Sequence, residues 1–263
     1  MAYHRRVKFL LPPNRGEVRA SARAAILADW MSAWLDEDVE VATAQSYRGL
    51  AQQLEAGEAA LAWVPPAVCA KVRDHCRSVL TAIRDGRKEY AAALVVRRDS
   101  GIASIADLAG KRAAWVDPLS ASGHLLAVAH LRSNGLDPAK TLASESYAGT
   151  LRDALVQVAE GQADVTSTYM VGDDAGRTLD ELRDIAGPAA NELAILERTG
   201  TAPFDALTIG FDAPQGVEER LLGLKRRRSG APAMLLEICR ADGFVKADSV
   251  AFSAFEGFVE RLL

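Results

Sequence analysis

The chain has few of the residues that usually betray chemistry. Its 3 cysteines, Cys69, Cys76 and Cys239, are an odd number without close metal-ligand spacing. That pattern argues against a redox or zinc site and for buried or incidental thiols. Histidine is equally scarce. His124 has no cysteine, histidine or carboxylate at a spacing that would make it a metal ligand or a catalytic base, so it reads as a bystander on a first helical turn. Basic charge is not in excess: the net charge of −4 favours neither a nucleic-acid surface nor a polybasic contact with a membrane. The one basic run, Lys225–Arg228, precedes Ser229-Gly230 and reads as a solvated helix end. No stretch approaches the ~18 apolar residues of a membrane span, so direct membrane insertion is not expected. The N-terminus lacks the apolar core and small-residue cleavage site of a secretory signal. As written it predicts a cytoplasmic protein, or a periplasmic or lipid-anchored one if a leader has been removed.

What is present is a large apolar fraction, 49%, enough for a sizeable core. Strand and helix signals alternate at short spacing: strands at 7–11, 39–44 and 59–64, helices at 18–35 and 47–56, and a further helix opened by Pro65-Pro66. Segments 79–83 and 90–96 read as paired strands around the Asp85-Gly86 turn. A second unit begins near residue 99, with strands at 113–116, 141–147 and 163–169 and helices at 122–134 and 151–160. Strands at 193–196 and 206–211 carry the chain back, and the tail from Gln215 reads as helical. The fold class is α/β, with one lobe at 1–97 plus 200–263 and a second, at 98–199, inserted into it.

The segment Trp115–His124 carries most of the functional signal. An apolar strand runs through Asp117-Pro118 into Ser120, Ser122 and Gly123, and a helical pattern follows with Leu125, Leu126, Val128 and Leu131. First-turn N–H groups lack intrahelical partners and the helix dipole favours negative charge, so hydroxyls gathered there make a neutral cradle for an anion. A plain N-cap role for either serine remains the alternative.

Several phrases stand in one order: Asp107-Leu108-Ala109-Gly110-Lys111, then Asp117-Pro118-Leu119-Ser120-Ala121-Ser122-Gly123, then Gly161-Gln162-Ala163-Asp164-Val165, with Ser46-Tyr47 before them and Pro203-Phe204-Asp205 after. Over roughly residues 7 to 225 the chain resembles the phosphate/phosphite/phosphonate substrate-binding proteins of ABC transporters. The resemblance implies a two-lobed, type 2 periplasmic-binding-protein fold. It also implies two crossover strands, hinge closure, and a small anionic ligand in the interlobe cleft. An ABC permease is the implied partner, and no cofactor or metal is implied.

By the same resemblance Tyr47 and Tyr90 match pocket tyrosines, and Ser120, Ala121, Ser122 and Gly123 match the helix start that holds phosphonate oxygens. Thr150 and Leu151 match a phrase whose histidine contacts the same anion, and Asp205 matches an acidic position that faces the amine of aminoalkylphosphonates. Two positions depart from the family: Ala121 stands for its usual threonine and Leu151 for its histidine. Together they remove ~2–5 kcal/mol of anion stabilisation, at the usual worth of charge-assisted hydrogen bonds. A carboxylate, sulfonate or phosphate ester then fits as well as a free phosphonate, and Arg152 beside Leu151 could compensate in part.

Tyr169, ending a strand, is a further candidate for the ligand pocket, because ligands gather at the carboxyl ends of such strands. Trp63 reads as core, Asp173-Asp174 as turn residues, and Asp117 as fixing a turn. No nucleophile has an evident base, which weighs against catalysis. The leading reading is a transport receptor or soluble sensor for a small anion. The alternatives are a cytosolic enzyme on the same fold, acting on a small anionic metabolite, and a regulatory input domain.

Overall fold

The computed structural model describes residues 6–13, 17–170, 172, 174–225 and 234–262, leaving the side chains of 17–21 and 249–254 aside. Most of the basic run at 225–228 and Asp173 fall outside the described residues. In chain order the elements are β1 (Val7–Leu11), α1 (Glu17–Leu35), β2 (Val39–Thr43), α2 (Tyr47–Glu55), β3 (Leu61–Val64), α3 (Pro66–Val72), β4 (Ser78–Ile83) and β5 (Glu89–Arg97). There follow β6 (Arg112–Trp115), α4 (Leu126–Ser133), α5 (Pro138–Thr141), β7 (Ser144–Tyr147), α6 (Leu151–Ala159), β8 (Val165–Tyr169), α7 (Ala175–Ala186) and β9 (Leu193–Pro203). The chain ends with β10 (Ala206–Ile209), α8 (Val217–Leu222), α9 (Met234–Ile238), β11 (Gly243–Lys246) and α10 (Ser249–Glu260). No described helix is long and apolar enough to cross a membrane.

The chain divides into two compact units, one of residues up to Lys88 with Pro203–Glu256, the other Glu89–Ala202 with Gly257–Leu263. The first holds a six-stranded sheet in the order β11-β4-β10-β3-β1-β2. Strands β1, β2 and β3 are parallel, with Phe9 opposite Val41 and Leu61. Helix α1 buries Leu27, Met31 and Leu35 at helical spacing. Proline at the first position of α3 sets its φ without losing a needed donor.

The second unit holds a five-stranded sheet in the order β7-β6-β8-β5-β9. Its interior strand β5, between β8 and β9, has no exposed residue between Ala91 and Val96, as a strand covered on both faces requires. One face packs Leu94, Trp115, Leu131 and Val165, and the other packs Val95, Leu155, Val158 and Leu182. Fully burying a side chain such as Leu131 contributes roughly 1.5–3 kcal/mol.

Two expectations are corrected. The turn at Asp85-Gly86 forms: Arg84 and Arg87 exchange both backbone hydrogen bonds at 3.1 and 2.9 Å, around residues with φ of +49° and +72°. The strands flanking it do not pair. Strand β4 lies between β10 and β11, while β5 joins the other sheet beside β8. The local turn closes a single bridge, and burial of the flanking apolar runs then takes them to different cores. The tail is not wholly helical either, because β11 pairs antiparallel with β4, Gly243 opposite Ile83 through Lys246 opposite Leu80. Four residues carry too little pattern to read as a strand until a sheet edge is there to receive them.

Candidate functional site

Strands β6, β7 and β8 run parallel to one another. All three therefore end on the same side of the second unit's sheet, and each is followed there by a helix start. The chain leaves β6 through Val116 and Asp117, whose carboxylate Oδ1 accepts the Leu119 N–H at 2.8 Å and whose carbonyl accepts that of Ser120 at 2.9 Å. Ser120 then caps the helix: its Oγ accepts the Gly123 N–H at 3.1 Å. The first turn is wide, with the Leu125 N–H reaching the Ser120 carbonyl five residues back at 3.0 Å. Such π-type turns often occur at functional sites.

Gly123 makes this geometry possible. A Cβ there would lie 2.4 Å from Val116 Cγ2 and 2.8 Å from Ser120 Oγ, and the Gly123 carbonyl accepts the Val116 N–H at 3.1 Å. Ser122 is half-buried; its carbonyl receives the Ser167 hydroxyl at 2.5 Å, while its own hydroxyl makes no hydrogen bond among the described residues. Ala121 is buried, only 3% exposed, so its methyl fills the interior.

The second helix start is tied to the first. Ala148 and Gly149 extend the β7 pairing by donating to the carbonyls of Trp115 and Val116, each at 2.8 Å. Thr150 follows as the N-cap of α6: its Oγ1 accepts the Asp153 N–H at 3.0 Å and donates to Asp153 Oδ2 at 2.7 Å. Leu151 packs with the core of α6 and α7. Arg152 is exposed. At the end of β8, Asp174 caps α7 by accepting the Arg177 N–H at 3.1 Å. Tyr169 donates its hydroxyl to Glu181 Oε1 at 2.9 Å. Tyr90 lies half-buried on β5, antiparallel to β8, beside the residue whose carbonyl receives the Met170 N–H at 2.9 Å.

Eight of the ten expected residues thus gather at one end of one sheet. The other two belong to the first unit. Tyr47 opens α2 after β2, where Ser46 Oγ caps the helix by accepting the Gly49 N–H at 3.0 Å. Asp205 is engaged by a guanidinium, Arg84 Nη2 donating to Oδ2 at 2.9 Å, with Arg84 also 4.7 Å above the Phe204 ring. The same unit holds a cavity of about 370 Å³ at the carboxyl ends of β1, β2 and β3, lined among others by Leu11, Thr43, Trp63, Arg23, Glu237 and Arg240. Trp63 is core as expected, 7% exposed and edge-on to Phe244, but it also walls this cavity.

Sequence reasoning missed Asp153, Ser167 and the cavity. The signal for Ser167 was the run Thr166-Ser167-Thr168 in an otherwise apolar strand; all three are fully buried, and two of their hydroxyls bond backbone carbonyls. The cysteines are free thiols. Burial pushes Cys69 and Cys239 well above the ordinary thiol range and Cys76 up to about 11, so none is poised as a nucleophile. Among the described residues no cluster of His, Cys, Asp and Glu could hold a metal ion.

Two capped helix starts are thus joined through one strand end. The family described as ABC transporter, phosphonate, periplasmic substrate-binding protein matches residues 9–251. The chain belongs to this family. Its members are transport receptors, not enzymes, and bind small anionic ligands for an ABC importer, consistent with a permease partner. The family is periplasmic, and the cytoplasmic expectation drawn from the N-terminus finds no support in it.

The fold is that of type 2 periplasmic binding proteins. PhnD1 of Prochlorococcus marinus, solved with methylphosphonate, is 18% identical, with a TM-score of 0.82 and 98% of each chain covered. A binding component of an ABC phosphonate transporter from Pseudomonas aeruginosa is 17% identical, with a TM-score of 0.81 over 98% of this chain and 88% of that one. XAC2383 of Xanthomonas citri, solved with ATP, is 20% identical, with a TM-score of 0.76 and 98% of each chain covered.

Proposed function

We propose that this chain is the periplasmic receptor of an ABC importer and that it holds the oxyanion of a phosphonate-like ligand at the carboxyl ends of β6 and β7. The observation that carries the reading is the helix start after β6, where Ser120 Oγ accepts the Gly123 N–H and the first turn is held beside the α6 start through the Trp115 and Val116 carbonyls. Unpaired first-turn N–H groups and the helix dipole both favour a negative group there. Ser120 and Ser122 supply hydroxyl hydrogens, and Tyr90 and Tyr169 flank the same sheet end. In the first unit Asp205 serves chiefly to hold Arg84. With Ala121 buried and Leu151 in the core, the pocket relies on fewer donors than its relatives. Its ligand therefore extends to phosphate esters, sulfonates and small carboxylates.

The test is a thermal-shift screen against methylphosphonate, aminoalkylphosphonates, phosphite, phosphate, ATP, sulfonates and small carboxylates. A ligand at a hundredfold excess over its Kd adds ~2.7 kcal/mol of stability, which such a screen resolves. A shift with phosphorus oxyanions supports the reading, and a shift confined to carboxylates overturns it. Fractionation of expressing cells tests the periplasmic assignment.

A further inference from the structure

His124, unpromising in the sequence, is the most constrained polar side chain beside the helix start. It is 7% exposed, tilted against the Trp115 ring at 5.9 Å and edge-on to the Tyr147 ring at 5.3 Å. Its Nδ1 lies 3.0 Å from the Pro118 carbonyl, which has no hydrogen to give, so Nδ1 carries the proton and donates. In the neutral ring Nε2 is then an acceptor and receives the Tyr147 hydroxyl, 3.3 Å away. A hydrogen-bonded path thus runs from strand β7 through the imidazole into the turn at 117–120.

Asp117 also holds that turn, its carboxylate and carbonyl accepting the Leu119 and Ser120 N–H groups, and the Ser120 cap closes it. Pro118 has no N–H with which to bond, and the His124 bond fixes its carbonyl. We propose that His124 is the positioning residue of the oxyanion cradle, its Nδ1–H fixing the Pro118 carbonyl and so the direction in which Ser120 and the first-turn N–H groups point. The inference rests on the cradle being the ligand site.

The charged and titratable groups around the ring are Glu145 on β7, Asp117 in the turn, Arg132 on α4 and Tyr147 itself. Glu145 is occupied by the Trp115 indole N–H at 2.6 Å. Burial, the largest influence, holds the imidazole below its ordinary range and thus neutral at neutral pH. Protonation would place a charge in this enclosure and make Nε2 a donor, turning the Tyr147 hydroxyl from donor to acceptor.

The test compares the parent protein with H124N, whose amide N–H can replace Nδ1–H, with H124F, which keeps a ring and loses both bonds, and with Y147F. Three quantities are read: the imidazole ¹⁵N spectrum, amide hydrogen exchange over 117–123, and the Kd for methylphosphonate at pH values from 5 to 8. The expected spectrum is that of the Nδ1–H tautomer, still neutral below pH 6.5. In H124F, exchange over 117–120 accelerates and Kd rises about tenfold, the effect of one well-made hydrogen bond. H124N recovers most of that loss, and Y147F loses about threefold, as a longer bond predicts. The ratio of parent to H124N affinity, which cancels titration of the ligand, falls as pH drops.

The two readings fail separately. An Nε2–H tautomer, unchanged exchange in H124F, or equal methylphosphonate affinity in H124F and the parent overturns the positioning role and leaves the ligand site standing. A parent that binds no methylphosphonate while exchange still accelerates in H124F overturns the ligand site beneath it.

Discussion

The helix starts at Ser120 and Thr150 look alike in sequence and differ in what they leave for a ligand. Both are hydroxyl N-caps at the ends of neighbouring parallel strands, and each accepts the N–H three residues on, at 3.1 and 3.0 Å. Ser120 spends only a lone pair on its cap and keeps its hydrogen. Thr150 gives its hydrogen to Asp153, whose carboxylate also sits where the helix dipole would otherwise attract an anion. One start is open to an oxyanion, and the other already holds one of its own. The lesson is that a cap hydroxyl binds a ligand only if its hydrogen is not claimed from the next turn.

The largest effect is expected where the open start is built. Gly123→Ala forces a methyl to within 2.4 Å of Val116 Cγ2. We expect a loss of roughly 1–3 kcal/mol in denaturant unfolding, as overpacking costs, together with loss of methylphosphonate binding by calorimetry. Ser120→Ala should cost about 1 kcal/mol as a lost cap. It should also weaken methylphosphonate binding tenfold or more, since a hydrogen bond to a charged group is lost.

Thr150→Ala should cost a similar ~1 kcal/mol of stability but change affinity less than twofold. An equal loss of affinity at the two caps would break the comparison. Asp153→Asn sharpens it: removing the resident carboxylate should tighten anion binding by about two- to fivefold, the worth of a charge at a helix terminus.

The smallest effect is a pH dependence. The folded pKa of His124 lies below its unfolded value near 6.5. The unfolded chain therefore takes up the proton first as pH falls, and the stability of the fold declines from about pH 6.5 down through the folded pKa. Unfolding midpoints measured from pH 8 to 5 should show this decline in the parent and a shallower one in H124N.

Much of this was open to reading from the chain. The strand–helix alternation, the helix starts near 122 and 151, and the Asp117–Gly123 phrase all follow from period, turn chemistry and capping, which act between residues a few positions apart. The same local rules misplace β5, because a sound turn at Asp85-Gly86 says nothing about which sheet completes the strand after it.

Polar partnership across elements was closed to such reading. Asp205 facing Arg84 is a contact 121 residues apart, and Ser167 reaches Ser122 across 45. His124 looked idle because its partners, Pro118 and Tyr147, are a carbonyl and a phenol that no ligand-spacing rule would count. The sequence by itself determined the α/β alternation, the family, and the hydroxyl-rich helix start, since these depend on local spacing and residue type. Only the tertiary structure decided which hydroxyl keeps its hydrogen, which carboxylate is already paired and which histidine is neutral, because each depends on what a distant segment brings within about 3 Å, the reach of a hydrogen bond.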